Sequence, residues 1–280
     1  MDSDFIKTYS KYLLKDGYQR ADELKNATIP NILYKYFPCT ENRINSLSKR
    51  ELWLAQRETF NDPNEFRFMF IDKEKFDKAE LIDPKWDFYN YDQSFFKVEY
   101  QDALKFMEIT KKLVSISCLT TDPQSDYFWS EYANDQNGFC VEYVINKKDN
   151  FYPVIYTNEK IEISDILKTT IMEFKKVIED EYELERIKGQ KYNIVSEDGM
   201  KYISFLYFNY CCKEIKWKHE NEYRIIFANS HPQISKGKLV SYNDLNITAN
   251  KIFIGNNCSD IDKKKLKLIA ESRGIEYSFN

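Results

Sequence analysis

What most constrains the fold of this chain is how its apolar residues are parcelled into short runs. Strand-length stretches rich in aliphatic and aromatic residues recur at 31–37 (NILYKYF), 51–55 (ELWLA), 113–119 (LVSISCL), 139–145 (FCVEYVI), 151–157, 223–228, 238–242, 251–256 and 276–279. Turn-forming or charged residues bound most of them. Helical patterns fall between them irregularly. Thr40 offers an N-cap for a helix over 41–49. Apolar positions from Ile166 to Ile178 recur at helical spacing and predict a helix over 164–186, with Ser164 as its cap. Shorter patterns predict helices at 103–111, 200–213 and 259–273, and Trp129 and Tyr132 share one helical face of YFWSEYA. Strands and helices mixed without a strand–helix–strand rhythm define an α+β domain rather than a doubly wound one.

Length alone allows one large domain or two ordinary ones among 280 residues. The seven glycines and seven prolines are scattered and form no linker. One domain is therefore expected over 1–280, with an N-terminal helical extension at 1–30 and helical insertions at 73–112 and 160–214. A net charge of −4 provides no overall attraction to phosphate backbones or anionic lipid. No apolar run approaches the roughly 20 residues of a membrane span, and the N-terminus is too polar for a secretory signal. A cytoplasmic protein with no membrane partner is the expectation. The six cysteines form no CxxC pair and read as reduced thiols. Two histidines without flanking thiols predict no metal site. GxxxxGK[ST], GxGxxG and GxSxG are all absent from the sequence. Cys140 could in principle pair with His219 as a nucleophile, but its place between Phe139 and Val141 is that of a buried strand thiol.

One segment carries more chemistry than the rest. In KWKHENEYR, Glu220 and Glu222 stand at i and i+2 before an apolar run beginning at Tyr223. On a strand both would project from one face about 7 Å apart. Beside Trp217 and Arg224, such a pair suits a ribose or a cationic sugar, one carboxylate accepting hydroxyl protons and the other facing positive charge. The same residues also suit a plain strand start, with the acids paired to Lys216, Lys218 or Arg224.

Taken in order, LYKY at Leu33, FNDPNE at Phe60, ISCLTTDPQSDYFWSEYANDQNGFCVEY from Ile116, WKHENEYRII from Trp217 and IFIGNNCS from Ile252 resemble a widespread bacterial family known as a domain of unknown function. The first block is in turn similar to the opening strand of ADP-ribosyltransferases and tRNA phosphotransferase relatives. The resemblance implies a split, mostly antiparallel β-sheet flanked by helices, and a nucleotide ligand. It further implies a NAD-consuming reaction without metal, as a transferase or glycohydrolase, with Glu222 or Glu220 as the catalytic acid. Ser117 would be the second-strand hydroxyl. Lys35 stands where the family has His or Arg and would meet a diphosphate as a point charge, without the planar fork of Arg. Tyr34, Tyr36, Trp129 and Tyr132 would line the nucleotide site, with Trp129, Tyr34 or Tyr36 stacking on a base. Nicotinamide would leave through an oxocarbenium-like state toward water or a macromolecular acceptor, protein or nucleic acid, in a toxin or phage-defence setting. The alternative is a catalytically inactive module that binds a nucleotide or a protein on the same scaffold.

Overall fold

The computed structural model describes residues 1, 3–13, 18–60, 62, 65–78, 98–172, 175, 205–229 and 235–280. Two compact units divide the chain, one made of 25–61, 112–154 and 216–280, the other of 1–24, 62–111 and 155–215. The expected extension and insertions thus fall largely together in the second unit.

In the first unit, nine strands among the described residues form one sheet. They are β1 (Ile32–Pro38), β2 (Glu51–Ala55), β3 (Val114–Thr120), β4 (Gly138–Ile145), β5 (Phe151–Pro153), β6 (Glu222–Ala228), β7 (Gly237–Ser241), β8 (Ile247–Ile254) and β9 (Glu276–Phe279). Their order is β7-β2-β3-β1-β4-β8-β9, with β6 also paired to β3 and β5 outside β6. The β8–β9 pair is parallel, and the other pairings of this sheet are antiparallel. The architecture is α+β, a mixed and mostly antiparallel sheet flanked by helices.

The sheet branches at β3. This strand pairs along its whole length with β6, from Val114 opposite Ala228 to Thr120 opposite Glu222. Its remaining edge is shared, Thr120 registering with Tyr34 of β1 and Ile116 with Ala55 of β2. Beyond these single registers β1 and β2 diverge.

Alternation along the strands sorts the side chains into two layers. On one face Leu33, Phe37, Leu119, Phe139, Val141, Tyr143, Ile225, Ile252 and Ile254 form the main core. Ile44 and Leu47 of helix Glu41–Lys49 and Leu266 and Ala270 of helix Asp260–Arg273 close over it. Both helices start as their sequences dictate, Thr40 accepting from the Arg43 amide and Ser259 from the Asp262 amide. Gly274 ends the second in the left-handed conformation, φ 65°. On the other face Tyr36, Phe128, Trp129, Ala133 and Cys140 form a smaller aromatic core, with Tyr34, Tyr127 and Phe253 packed against it. Burying each such large side chain contributes roughly 1.5–3 kcal/mol.

The second unit contains helices Ser3–Lys11 and Lys73–Lys78 and most of Tyr100–Lys112. Residues 164–172 are helical, and the rest of the helix expected to 186 lies mostly outside the described residues. Two expectations change. The stretch 151–157 is not one strand: Val154 interrupts it, its amide donating to the Glu222 carbonyl at 3.1 Å, so that Phe151–Pro153 pairs with β6 while Ile155–Tyr156 pairs with Cys212–Lys213. The helix expected over 200–213 is described from 205: residues 205–207 are α-helical and Phe208–Cys211 form a 3₁₀ turn, but the chain is extended at Cys212–Lys213. Among the described residues no helix is long and apolar enough to cross a membrane.

Candidate functional site

Every residue singled out above as a binding or catalytic candidate lies in the first unit. Strand alternation separates them. Lys35 registers with Val141 and so shares the main-core face with Leu33 and Phe37. Its ammonium lies 5.8 Å from the Phe37 ring centroid and donates to the Cys118 carbonyl at 2.7 Å. Alternate residues of an antiparallel strand direct their backbone groups to the same edge. Thr120 and Ile116 meet β1 and β2, so Cys118, between them, faces the angle of the fork. There Lys35 donates its ammonium to the Cys118 carbonyl from the neighbouring strand. Burial, the largest influence, pushes the Lys35 ammonium below its usual range; Arg43 adds to the shift and Glu222 opposes it.

Ser117 faces the main core too, opposite Ile225. It is 3% exposed, and its hydroxyl has no hydrogen-bond partner among the described residues. The hydroxyl that does accompany the acids is Thr120. Tyr34, Thr120 and Glu222 register with one another across β1, β3 and β6 and form a single row on the aromatic face.

The two acids are not successive residues of a strand face. Glu220 closes the 3₁₀ turn Ile215–Glu220, Asn221 adopts φ 43°, and the strand begins at Glu222. This left-handed residue, which Asn tolerates better than most, breaks the period-two spacing expected of the pair. Thr120 still links them: its hydroxyl donates to the Glu220 carbonyl at 2.8 Å while its backbone registers with Glu222. Glu222 is buried and accepts from Arg224 Nε at 2.7 Å. Arg224, fully enclosed, lies with its guanidinium carbon 5.5 Å from the Phe60 ring centroid. A charge-assisted bond of this kind fixes the carboxylate's orientation. The buried Glu220 carboxylate accepts a long bond, 3.4 Å, from the Tyr127 hydroxyl.

The aromatic candidates divide by exposure. Trp129 is 1% exposed, its indole N–H donating to the Pro123 carbonyl at 3.3 Å and its ring edge-on to Tyr36 at 5.1 Å. Tyr36 is also buried, stacked on Phe128 and donating to the Asp122 carbonyl at 2.9 Å; burial pushes its phenol well above the ordinary range. Both rings are walls rather than open platforms, which corrects the expectation that either stacks on a base. Half-buried Tyr34 donates to Glu142 at 3.0 Å, and burial, then that bond, push its phenol up to about 12. Tyr132 is 40% exposed and lies edge-on to Tyr127 at 6.2 Å. Tyr127 in turn meets the exposed His219 ring edge-on at 4.9 Å.

Three members of this cluster, Thr120, Tyr127 and His219, were not among the residues expected for the site. Thr120 follows Leu119 in SISCLT, and one residue of parity decides whether Ser117 or Thr120 faces the acids. Among the described residues, no cluster of His, Cys, Asp or Glu is arranged to hold a metal ion. Compared with family models, with curated proteins and with solved structures, the chain matches none.

Proposed function

We propose that the chain binds a nucleotide, and consumes NAD as an ADP-ribosyltransferase-like enzyme, on the row formed by Tyr34, Thr120 and Glu222. The observation that carries this reading is the row itself: a first-strand tyrosine, a second-strand hydroxyl and a later-strand glutamate side by side at the branch of the sheet. That is the succession of strands the resemblance implies, with Tyr34 in place of Lys35 and Thr120 in place of Ser117.

In this mechanism Glu222, oriented by Arg224, accepts from the ribose 2′-hydroxyl and offsets the positive charge that grows as the bond to nicotinamide breaks. Thr120 and Glu220 form the wall behind it. A base stacks on Tyr132 and Tyr127, the more open rings. The acceptor is water or a macromolecule.

Incubation of the purified chain with NAD, followed by chromatography of released nicotinamide, tests the reading. Release by the wild type that falls at least about 100-fold in Glu222→Gln, with melting retained, is the expected result. Release unchanged in that variant would remove Glu222 from the chemistry.

A second reading, a binding module without catalysis, is favoured by the enclosure of Glu222, 5% exposed with one oxygen held by Arg224. Calorimetric binding of the dinucleotide without any nicotinamide release would select it.

A further inference from the structure

Two of the six cysteines meet far from the acidic row. Cys39 follows the end of β1, and Cys258 immediately precedes Ser259, the N-cap of helix Asp260–Arg273. Their sulfurs are 3.4 Å apart although 219 residues separate them. Cys258 is buried and its thiol lies 3.0 Å from the Gly138 carbonyl, while Cys39 is half-buried and open to small reagents. The contact therefore forms a chain, Cys39 thiol to Cys258 sulfur to Gly138 oxygen. Covalent S–S bonding at about 2.05 Å requires the two sulfurs to approach by about 1.4 Å.

We propose that Cys39 and Cys258 form a reversible redox couple, closing to an intramolecular disulfide when the protein meets a peroxide. The hydrogen bond from Cys39, the largest influence, lowers the Cys258 thiol below its usual range, and Lys263 acts in the same direction. The adjoining helix N-terminus favours a thiolate as well. Cys258, in its thiolate form, takes the proton of Cys39 as the Cys39 sulfur attacks a peroxide oxygen. The O–O bond breaks, hydroxide leaves, and Cys39 becomes a sulfenic acid. The Cys258 sulfur then attacks the Cys39 sulfur, the S–O bond breaks, and water departs. Two thiol sulfurs are oxidised by two electrons and one peroxide is reduced. The resulting bond ties the end of β1 to the start of the C-terminal helix. None of this depends on the nucleotide reading.

The test treats the full chain with hydrogen peroxide at near-stoichiometric amounts, alkylates the remaining thiols under denaturing conditions and maps peptides by mass spectrometry. The expected result is a Cys39–Cys258 linked peptide, loss of two thiols out of six together, reversal by dithiothreitol, and a higher Tm for the oxidised protein. In Cys39→Ser and Cys258→Ser, each checked for an unchanged reduced Tm, the linked peptide and the Tm rise both vanish. Six alkylated thiols after peroxide, a different cysteine pair, or Cys39 driven to sulfinic acid without any linked peptide would each overturn the proposal.

Discussion

Lys35→Ala separates a structural lysine from a ligand-binding one. The substitution removes the charged donor to the Cys118 carbonyl, a bond of a class that contributes about 1.5–3 kcal/mol. It also deletes the half-buried methylenes packed toward Phe37, worth about 1 kcal/mol at roughly 0.8 kcal/mol per fully buried group. Relief from confining an ammonium offsets part of this, leaving a net loss of about 2 kcal/mol. In a chain of 280 residues that lowers Tm by about 3–4 °C. Lys35→Met keeps most of the stem, so in urea titration its loss against wild type isolates the ammonium–carbonyl bond, and the difference between the two variants measures the stem packing. The pH dependence follows from the lowered pKa of Lys35. Between the folded value and 10.5 the unfolded chain holds more protons, so wild-type stability rises with pH through that window, and neither variant shows that component. Nucleotide affinity, measured by calorimetry where the variants are folded, stays at the wild-type value. An unchanged Tm together with lost binding would return Lys35 to the ligand site and refute its assignment to the fork.

Three other perturbations have definite outcomes. Glu222→Ala leaves Arg224 charged and enclosed and costs about 3–5 kcal/mol in urea titration, whereas adding Arg224→Met recovers most of it; strictly additive losses would mean that the two are not coupled. Gly138→Ala brings a methyl group to 2.8 Å from the Ala133 Cα, tight against backbone, and lowers stability by about 1–3 kcal/mol or more; an unaltered urea midpoint would deny that close approach. Burial raises the phenol of Tyr242 to about 12 and that of Tyr143 well above 10.0, and the two hydroxyls lie 3.0 Å apart. The unfolded chain therefore loses these protons first, so stability present below about pH 10 falls as the pH climbs beyond it. Tyr242→Phe lessens that fall, measured as urea midpoints across the alkaline range; an equally steep fall would place the ionisation elsewhere.

Most of the sheet was legible because burial on alternate positions leaves a period of two in the sequence, and ELWLA shows it with Leu52 and Leu54 turned inward. Caps were legible for an equally local reason: Thr40 and Ser259 each meet an amide three residues ahead. Breaks were harder to read. Val154 splits a uniformly apolar stretch because its amide meets Glu222, about 70 residues away in sequence, and composition within 151–157 carries no trace of that partner. Asn221 is a milder case, since Asn is a residue that accepts positive φ, yet only the pairing of Glu222 with Thr120 reveals where the strand begins.

The candidate site turns on parity. In LYKY, alternation alone keeps Lys35 off the face that carries Tyr34 and Tyr36, so the three could never have lined one surface of a regular strand. What local sequence lacks is the choice of face, because both faces of this sheet are buried against aromatic and aliphatic layers. The choice is made by long-range register: Tyr34 to Thr120 to Glu222 puts one hydroxyl and one acid beside the tyrosine, and by the same count turns Ser117 inward against Ile225. A shift of β3 by one residue would exchange these roles. Thr120→Val and Ser117→Ala therefore form a matched pair for the proposed site: the first removes the hydroxyl bonded to the Glu220 carbonyl beside the acids, while the second removes only a buried hydroxyl on the opposite face.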